Sequence, residues 1–263
     1  MKLQYASDLH IDMWPQGTNF CNFLTPSAPF LALAGDICSA WEPRFEAFLA
    51  WCSRLWHTVF IVPGNHEYHN PFGRTLGETD NHIYNICLKF KNIIFLQCGA
   101  SYRIPGTQLR IVGATLWSDS DKAMWAKAIE KKSDYKNMYS GQRCLITPYE
   151  ISALHYWQVS ILRSALMPDY ELEKIIVITH HMPSKALLEP EYRGEAWHSF
   201  YASNTDFLFY PNIKLWICGH SHRATQLKIP HGPLLAMNAR GYNRTHELTR
   251  TSDIYNPSAT VIV

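Results

Sequence analysis

The run FLALAG (30–35) barely alternates between apolar and polar residues, and IKLWIC (213–218) has the same buried look. A strand of this kind is covered on both faces, so the sheet that holds it needs a layer on each side. Helical sequence lies close by. Between 41 and 56, Trp41, Phe45, Phe48, Leu49, Cys52, Leu55 and Trp56 fall at helical spacing, and TVFIVPG (58–64) reads as the next strand. With LQYAS (3–7) in front, the opening third is β, β, α, β. A parallel crossover through the helix needs about 30 residues or more. Asp36 and Asn65 stand 29 positions apart, which fits.

Further along, NIIFLQ (92–97), QLRIVGATLW (108–117), KIIVIT (174–179) and PLLAMN (233–238) read as strands, with ATVIV as a final one. TPYE (147–150) opens a helix: Thr147 serves as N-cap, Pro148 suits the first helical position, and Glu150 closes a capping box. Ile151, Leu154, Ile161, Leu162 and Ala165 continue one face as far as Pro168. Segment 182–212 is polar and aromatic without a clean period, which marks it as a candidate lid or substrate-facing excursion. No internal repeat or low-complexity linker interrupts the chain, so 1–263 is expected to form a single α/β domain.

Apolar residues make up 47% and charged residues only 17%, a balance that excludes disorder. The formal net charge is +2, with no block of like charges. That speaks against long nucleic acid as a partner and leaves room for a small anion. Seven scattered cysteines without a C-x-x-C pair, with Cys38, Cys52 and Cys218 in apolar or strand-end contexts, read as reduced thiols in a cytoplasmic protein. No apolar run approaches the roughly 18–20 residues that span a bilayer.

Five polar clusters each follow an apolar strand: SDLH (7–10), AGDI (34–37), PGNHE (63–67), THHMP (179–183) and CGHSH (218–222). In an open α/β sheet, sites assemble beyond the carboxyl ends of the strands. In D-x-H and H-x-H, an extended backbone puts alternate side chains on one face. Any one cluster alone reads as a turn or a loop histidine; five together bring Asp8, His10, Asp36, Asn65, His180, His220 and His222 toward one place. These oxygen and nitrogen donors suit Mn, Fe or Zn rather than Ca or a thiolate zinc site.

Taken in order, D-x-H, GD, GNH[ED], H and GH-x-H resemble the calcineurin-like metallophosphoesterase superfamily over residues 7 to 222. The resemblance implies a four-layer α/β/β/α sandwich of two mixed sheets flanked by helices. It implies two divalent metal ions per chain (Mn, Fe or Zn, with Mg or Ni as further options). It places Asp8, His10 and His222 on one ion and Asn65, His180 and His220 on the other, with Asp36 bridging. His66 matches the family's catalytic histidine near the leaving group. The implied reaction is hydrolysis of a phosphate ester by a hydroxide held between the ions, which lower the pKa of water toward about 7.

A narrower similarity joins THHMPS…YASN…LWICGHSH…NARGY to a subgroup of small bacterial-type phosphoesterases with a closing N-x-RGY, matched by Asn238, Arg240, Gly241 and Tyr242. Arg240 is a candidate for holding a phosphate oxygen through its planar fork, with an ordinary surface salt bridge as the alternative. His181 is a candidate for substrate contact, for support of the ligands, or for a structural role. Two departures stand out. Position 39 is Ser where many members of the superfamily carry a second Asp after GD, so a carboxylate to orient His66 is missing there. The stretch GDICSA also lacks the arginine of the protein Ser/Thr phosphatases.

The pairing of GNHE with GH-x-H is shared by cyclic-nucleotide phosphodiesterases and nucleases of the superfamily. It tilts the expectation toward a small phosphodiester or nucleotide-like substrate. A phosphomonoesterase on the same centre and a catalytically silent binding module on the same fold are the alternatives. Oligomeric state is not fixed by the sequence.

Overall fold

The computed structural model describes residues 1–168, 172–189, 194–242 and 254–263. Its strands form two sheets. In the first, β1 (Lys2–Ala6), β2 (Phe30–Ala34), β3 (Thr58–Val62) and β4 (Ile93–Phe95) run parallel, and β11 (Thr260–Ile262) pairs antiparallel with the free side of β1. In the second, β6 (Leu109–Ala114), β7 (Lys174–Thr179), β8 (Ile213–Cys218) and β10 (Leu234–Asn238) run parallel between antiparallel edges, β5 (Ala100–Arg103) and β9 (Ala224–Lys228).

The weak alternation of the central strands has a direct explanation: each face meets a different apolar layer. On β2, Leu31 and Leu33 point outward to Phe45, Phe48, Leu49 and Cys52 of α1 (Pro43–Leu55) and to Ile83 and Ile86 of α2 (Leu76–Cys87). Ala32 and Ala34 point the other way, into a layer shared with Ile176 and Ile178 of β7 and Leu215 and Ile217 of β8. The outer face of the second sheet, with Ile175, Val177 and Trp216, packs on Leu162 of α5 (Pro148–Ala165). Helix, sheet, sheet, helix is the four-layer α/β/β/α sandwich that the resemblance implied.

Several elements depart from the sequence reading. The first helix begins at Pro43 rather than at 41, and Trp41 instead stacks flat on His82. Helix α2 went unrecognised because its solvent face is polar, although Thr75 and Glu78 form a complete capping box. Edge strands β5 and β9 are only partly covered and carry no clean alternation. Between β6 and α5 the chain makes a second excursion, with short helices α3 (Trp125–Lys131) and α4 (Asp134–Asn137). Tyr135 and Met138 anchor it on Tyr68, Trp117 and Phe200. All seven cysteines are free thiols, and Cys38, Cys52 and Cys218 are buried. Among the described residues, no helix is long and apolar enough to cross a membrane.

Gly113 on β6 marks a point where the two sheets touch. A Cβ there would lie 2.5 Å from Leu96 Cβ and 2.6 Å from Val62 Cγ1. Overpacking of this kind costs about 1–3 kcal/mol, so Gly113→Val is expected to lower the melting temperature by roughly 2–12 °C. Thermal unfolding checks it; an unchanged midpoint would show that the sheets part there without cost.

Candidate metal centre

All five clusters meet at the carboxyl ends of β1, β2, β3, β7 and β8, and backbone bonds knit them together. Asp8 N donates to Gly35 O at 2.9 Å, His10 N to Asp36 O at 3.1 Å, and Gly219 N to His180 O at 2.8 Å. His220 N donates to both Asp8 carboxylate oxygens, at 3.1 and 3.0 Å, joining the two sheets at the centre. Five of these residues hold a left-handed backbone: Asp8, His10, Asp36, His220 and His222 have φ between 44° and 71°. Such a conformation costs about 1–3 kcal/mol per residue and clusters at functional sites.

Much of the scaffold hangs on Glu67, whose buried carboxylate accepts from Gly64 N (2.6 Å), Asp36 N (2.9 Å) and Ile37 N (2.6 Å). Burial, with the nearby Asp36 charge, pushes its pKa up to about 8. Bare backbone is needed beside it, since a Cβ on Gly64 would meet Asp36 Oδ1 at 2.1 Å.

The donor atoms fall into two groups. On one side, His10 Nε2 and His222 Nε2 are 3.1 Å apart, and His222 Nε2 is 3.6 Å from Asp8 Oδ1. On the other, His180 Nε2 lies 3.0 Å from Asn65 Oδ1 and 3.1 Å from His220 Nδ1. Asp36 stands between them, Oδ1 at 3.4 Å from His180 Nε2 and Oδ2 at 3.8 Å from His10 Nε2. An ion bound at about 2.0–2.2 Å from each N or O donor sets neighbouring donors about 2.8–3.6 Å apart, so the spacing fits cations at both places.

Ring orientation fits as well. His180 Nδ1–H donates to Ala34 O (2.9 Å), leaving Nε2 free to ligate; His220 Nε2–H donates to Phe200 O (3.2 Å), leaving Nδ1 free. Burial keeps His10 and His220 neutral, with lone pairs available. At His180 burial is outweighed by the charges of Asp36 and Asp8, which raise its pKa to about 10.

His66 N donates to Asp36 Oδ1 at 2.8 Å, and its Nε2 is 4.0 Å from Asp36 Oδ2, beside both donor groups. Burial brings its pKa down to about 4. Two groups around this histidine escaped the sequence reading. Tyr242, noted only as the last letter of N-x-RGY, bonds His66 Nε2 through its hydroxyl at 3.1 Å and lays its ring against His10 and His222. Asp134, from the unpatterned second excursion, accepts from Asn65 Nδ2 and from His69 Nε2, both at 2.8 Å, and His69 in turn packs against His66. No carboxylate takes the place of the one absent at position 39 by bonding His66; Asp134 holds Asn65 and His69 beside it. Ser39 itself donates to His69 O.

The two candidates for substrate contact lie away from the cavity lining. Arg240 does not line the cavity. Its guanidinium lies over Trp14 and Phe23, 4.3 and 4.8 Å from the ring centres, and Nη1 donates to Asn22 O. Aromatic faces attract the cation and hold it away from the cavity lining, and it makes no salt bridge among the described residues. His181 is buried off the cavity lining, its ring against His220 at 4.1 Å and Trp117 at 5.5 Å, a placement in keeping with the alternative of supporting a candidate ligand. Asn238 ties Tyr5 O and Asn256 O together and has a structural role.

Above the donors lies a cavity of about 540 Å³. Lys131, Lys132, Ser133 and Asp134 of the second excursion form one wall; Met182, Leu187, Leu188, Trp197 and Tyr201, all from 182–212, form much of the other.

The family model of calcineurin-like phosphoesterases matches residues 5–224. The chain belongs to that family. As a member it is a metal-dependent phosphoesterase. An uncharacterized protein of Acanthamoeba polyphaga mimivirus is 26% identical over 276 residues, covering 98% of this chain and 95% of its own. Among solved structures, the phosphopantetheinyl hydrolase of Mycobacterium tuberculosis superposes with a TM-score of 0.69 at 20% identity, over 95% of this chain and 92% of its own. A Thermus thermophilus protein gives 0.51 at 13% identity, over 90% and 88%. Both share the fold.

Removing a carboxylate that orients a metal ligand typically costs 10–100-fold in affinity. Asp134→Ala is expected to weaken Mn²⁺ binding beside Asn65 by about that factor. Titration of the metal-stripped protein checks it, and an unaltered affinity would detach Asp134 from the centre.

Proposed function

We propose that this chain hydrolyses a small phosphodiester or nucleotide-like ester at a two-cation centre. Asp8, His10 and His222 would hold one ion and Asn65, His180 and His220 the other, with Asp36 placed to serve both. The observation that carries this reading is the carboxylate of Asp36, whose two oxygens face two separate donor groups. An all-oxygen-and-nitrogen donor set suits Mn, Fe or Zn. Two such cations, when bound, acidify a water between them and neutralise phosphoryl charge.

The protein's own groups do the rest. Asp36 fixes the spacing of the two donor groups, and Glu67 fixes Asp36 by holding its amide. His66 hydrogen-bonds the departing oxygen through Nε2, at the position the Tyr242 hydroxyl occupies here, work typically worth about 10²–10⁴-fold in rate. Trp197, Tyr201, Leu187 and Leu188 form an apolar wall suited to an organic group beyond the phosphate. That wall, with Arg240 held away from the centre, supports a diester carrying a sizeable second arm over a bare monoester. On this reading the described residues of 182–212 form the substrate-facing part of one domain, with 190–193 outside the described residues.

His66→Ala is expected to keep two divalent ions per chain while losing about 10²–10⁴-fold in turnover on diesters with poor leaving groups. Elemental analysis and steady-state kinetics on the same preparation check both halves. Unchanged kinetics would remove His66 from the reaction, and an active protein free of metal would sink the two-cation reading. Asp36→Asn is expected to lose much of the second ion.

A further inference from the structure

Among the lysines and arginines of the described chain, Lys131, Lys132 and Arg223 line the cavity. Two of them are already engaged. Lys131 Nζ pairs with Glu130 at 2.7 Å, and Arg223 Nε pairs with Glu189 at 3.2 Å while Nη1 donates to Leu187 O. Lys132 makes no ion pair among the described residues. Its ammonium instead lies over Tyr201, 4.6 Å from the ring centre, and 5.5 Å from that of Phe200. Tyr201 in turn packs on His220 at 5.1 Å, so the charge sits one ring away from a donor of the centre. It is close enough to depress the pKa of His220, after burial and the neighbouring histidines, and to help hold Asp134 ionised.

A cation held only by ring faces keeps its N–H donors for an incoming anion. The platform also limits the rotamers of a side chain that otherwise loses considerable freedom on binding. We infer that Lys132 grips a non-bridging phosphoryl oxygen of the substrate, the work that the sequence reading gave to Arg240. This rests on the phosphoesterase reading and adds to it which residue meets the anion. The short stretch 132–134 then serves both partners of the reaction: Lys132 holds the phosphoryl group, and Asp134 orients Asn65.

The test compares wild type, Lys132→Met and Lys132→Arg, each loaded with Mn²⁺. Bis(p-nitrophenyl) phosphate serves as substrate and inorganic phosphate as competitive inhibitor. Met keeps the apolar stem over Tyr201 and removes the charge; Arg keeps the charge. Losing one charge-assisted hydrogen bond predicts that Lys132→Met raises KM and the phosphate inhibition constant by about 10–100-fold. Metal content and melting temperature should stay unchanged, and Lys132→Arg should recover most of the loss. Wild-type constants in Lys132→Met, equal losses in Met and Arg, or loss of metal would each overturn the assignment while leaving the phosphoesterase reading intact. A wild type that binds Mn²⁺ yet neither cleaves the diester nor binds phosphate would overturn both.

Discussion

Three amides from two different strand ends converge on the buried carboxylate of Glu67, and much of the centre takes its shape from that contact. The turn after β2 and the turn after β3 have no side-chain layer between them. Gly35 and Gly64 bring bare backbone together there, and Glu67 supplies the acceptor that otherwise only water would provide. With its amide so held, Asp36 accepts from His66 N and presents its two oxygens to opposite sides. One buried acceptor therefore fixes the bridge, the turn that carries Asn65 and His66, and the distance between them. A group of this kind is costly in an apolar interior, as its raised pKa shows, and the three amide bonds offset part of that cost.

The sandwich and the donor groups were legible in the sequence for a common reason. Central strands such as FLALA and KIIVIT are covered on both faces, so they read as unbroken apolar runs, and polar residues can enter only where each strand ends. Asp, His and Asn at those ends stand out against the apolar background. Four-layer packing then follows from Leu31 and Leu33 facing helices while Ala32 and Ala34 face the other sheet. Family resemblance supplied what periodicity does not, namely which donor belongs to which group.

What escaped the sequence reading lacks that contrast. Asp134 and Lys132 lie in an excursion without hydrophobic period, where charged residues are the ordinary background. Nothing local marks one of them as aimed at Asn65 or at the cavity. Glu67 stood inside GNHE, but its role lies in three amides that only the folded backbone brings together. Arg240 misled for the opposite reason: a guanidinium near a phosphate motif looks like an anion binder. Two of the rings beneath it, Trp14 and Phe23, come from more than two hundred positions away, and Tyr255 adds a third. Side-chain type was informative in each case; direction was not.

The bond from His220 N to Asp8 links residues 212 positions apart in the chain. Through it the first cluster leans on the last, and β1 lies between β2 and the late strand β11. During synthesis, the apolar faces of the early strands can collapse onto α1 well before β8 has been made. The centre itself cannot close until His220 and His222 arrive. Contacts of such long range form slowly, because a large loop must be ordered before they return any free energy. The donors span residues 8 to 222, so any piece of the chain that ends before His222 lacks part of the centre.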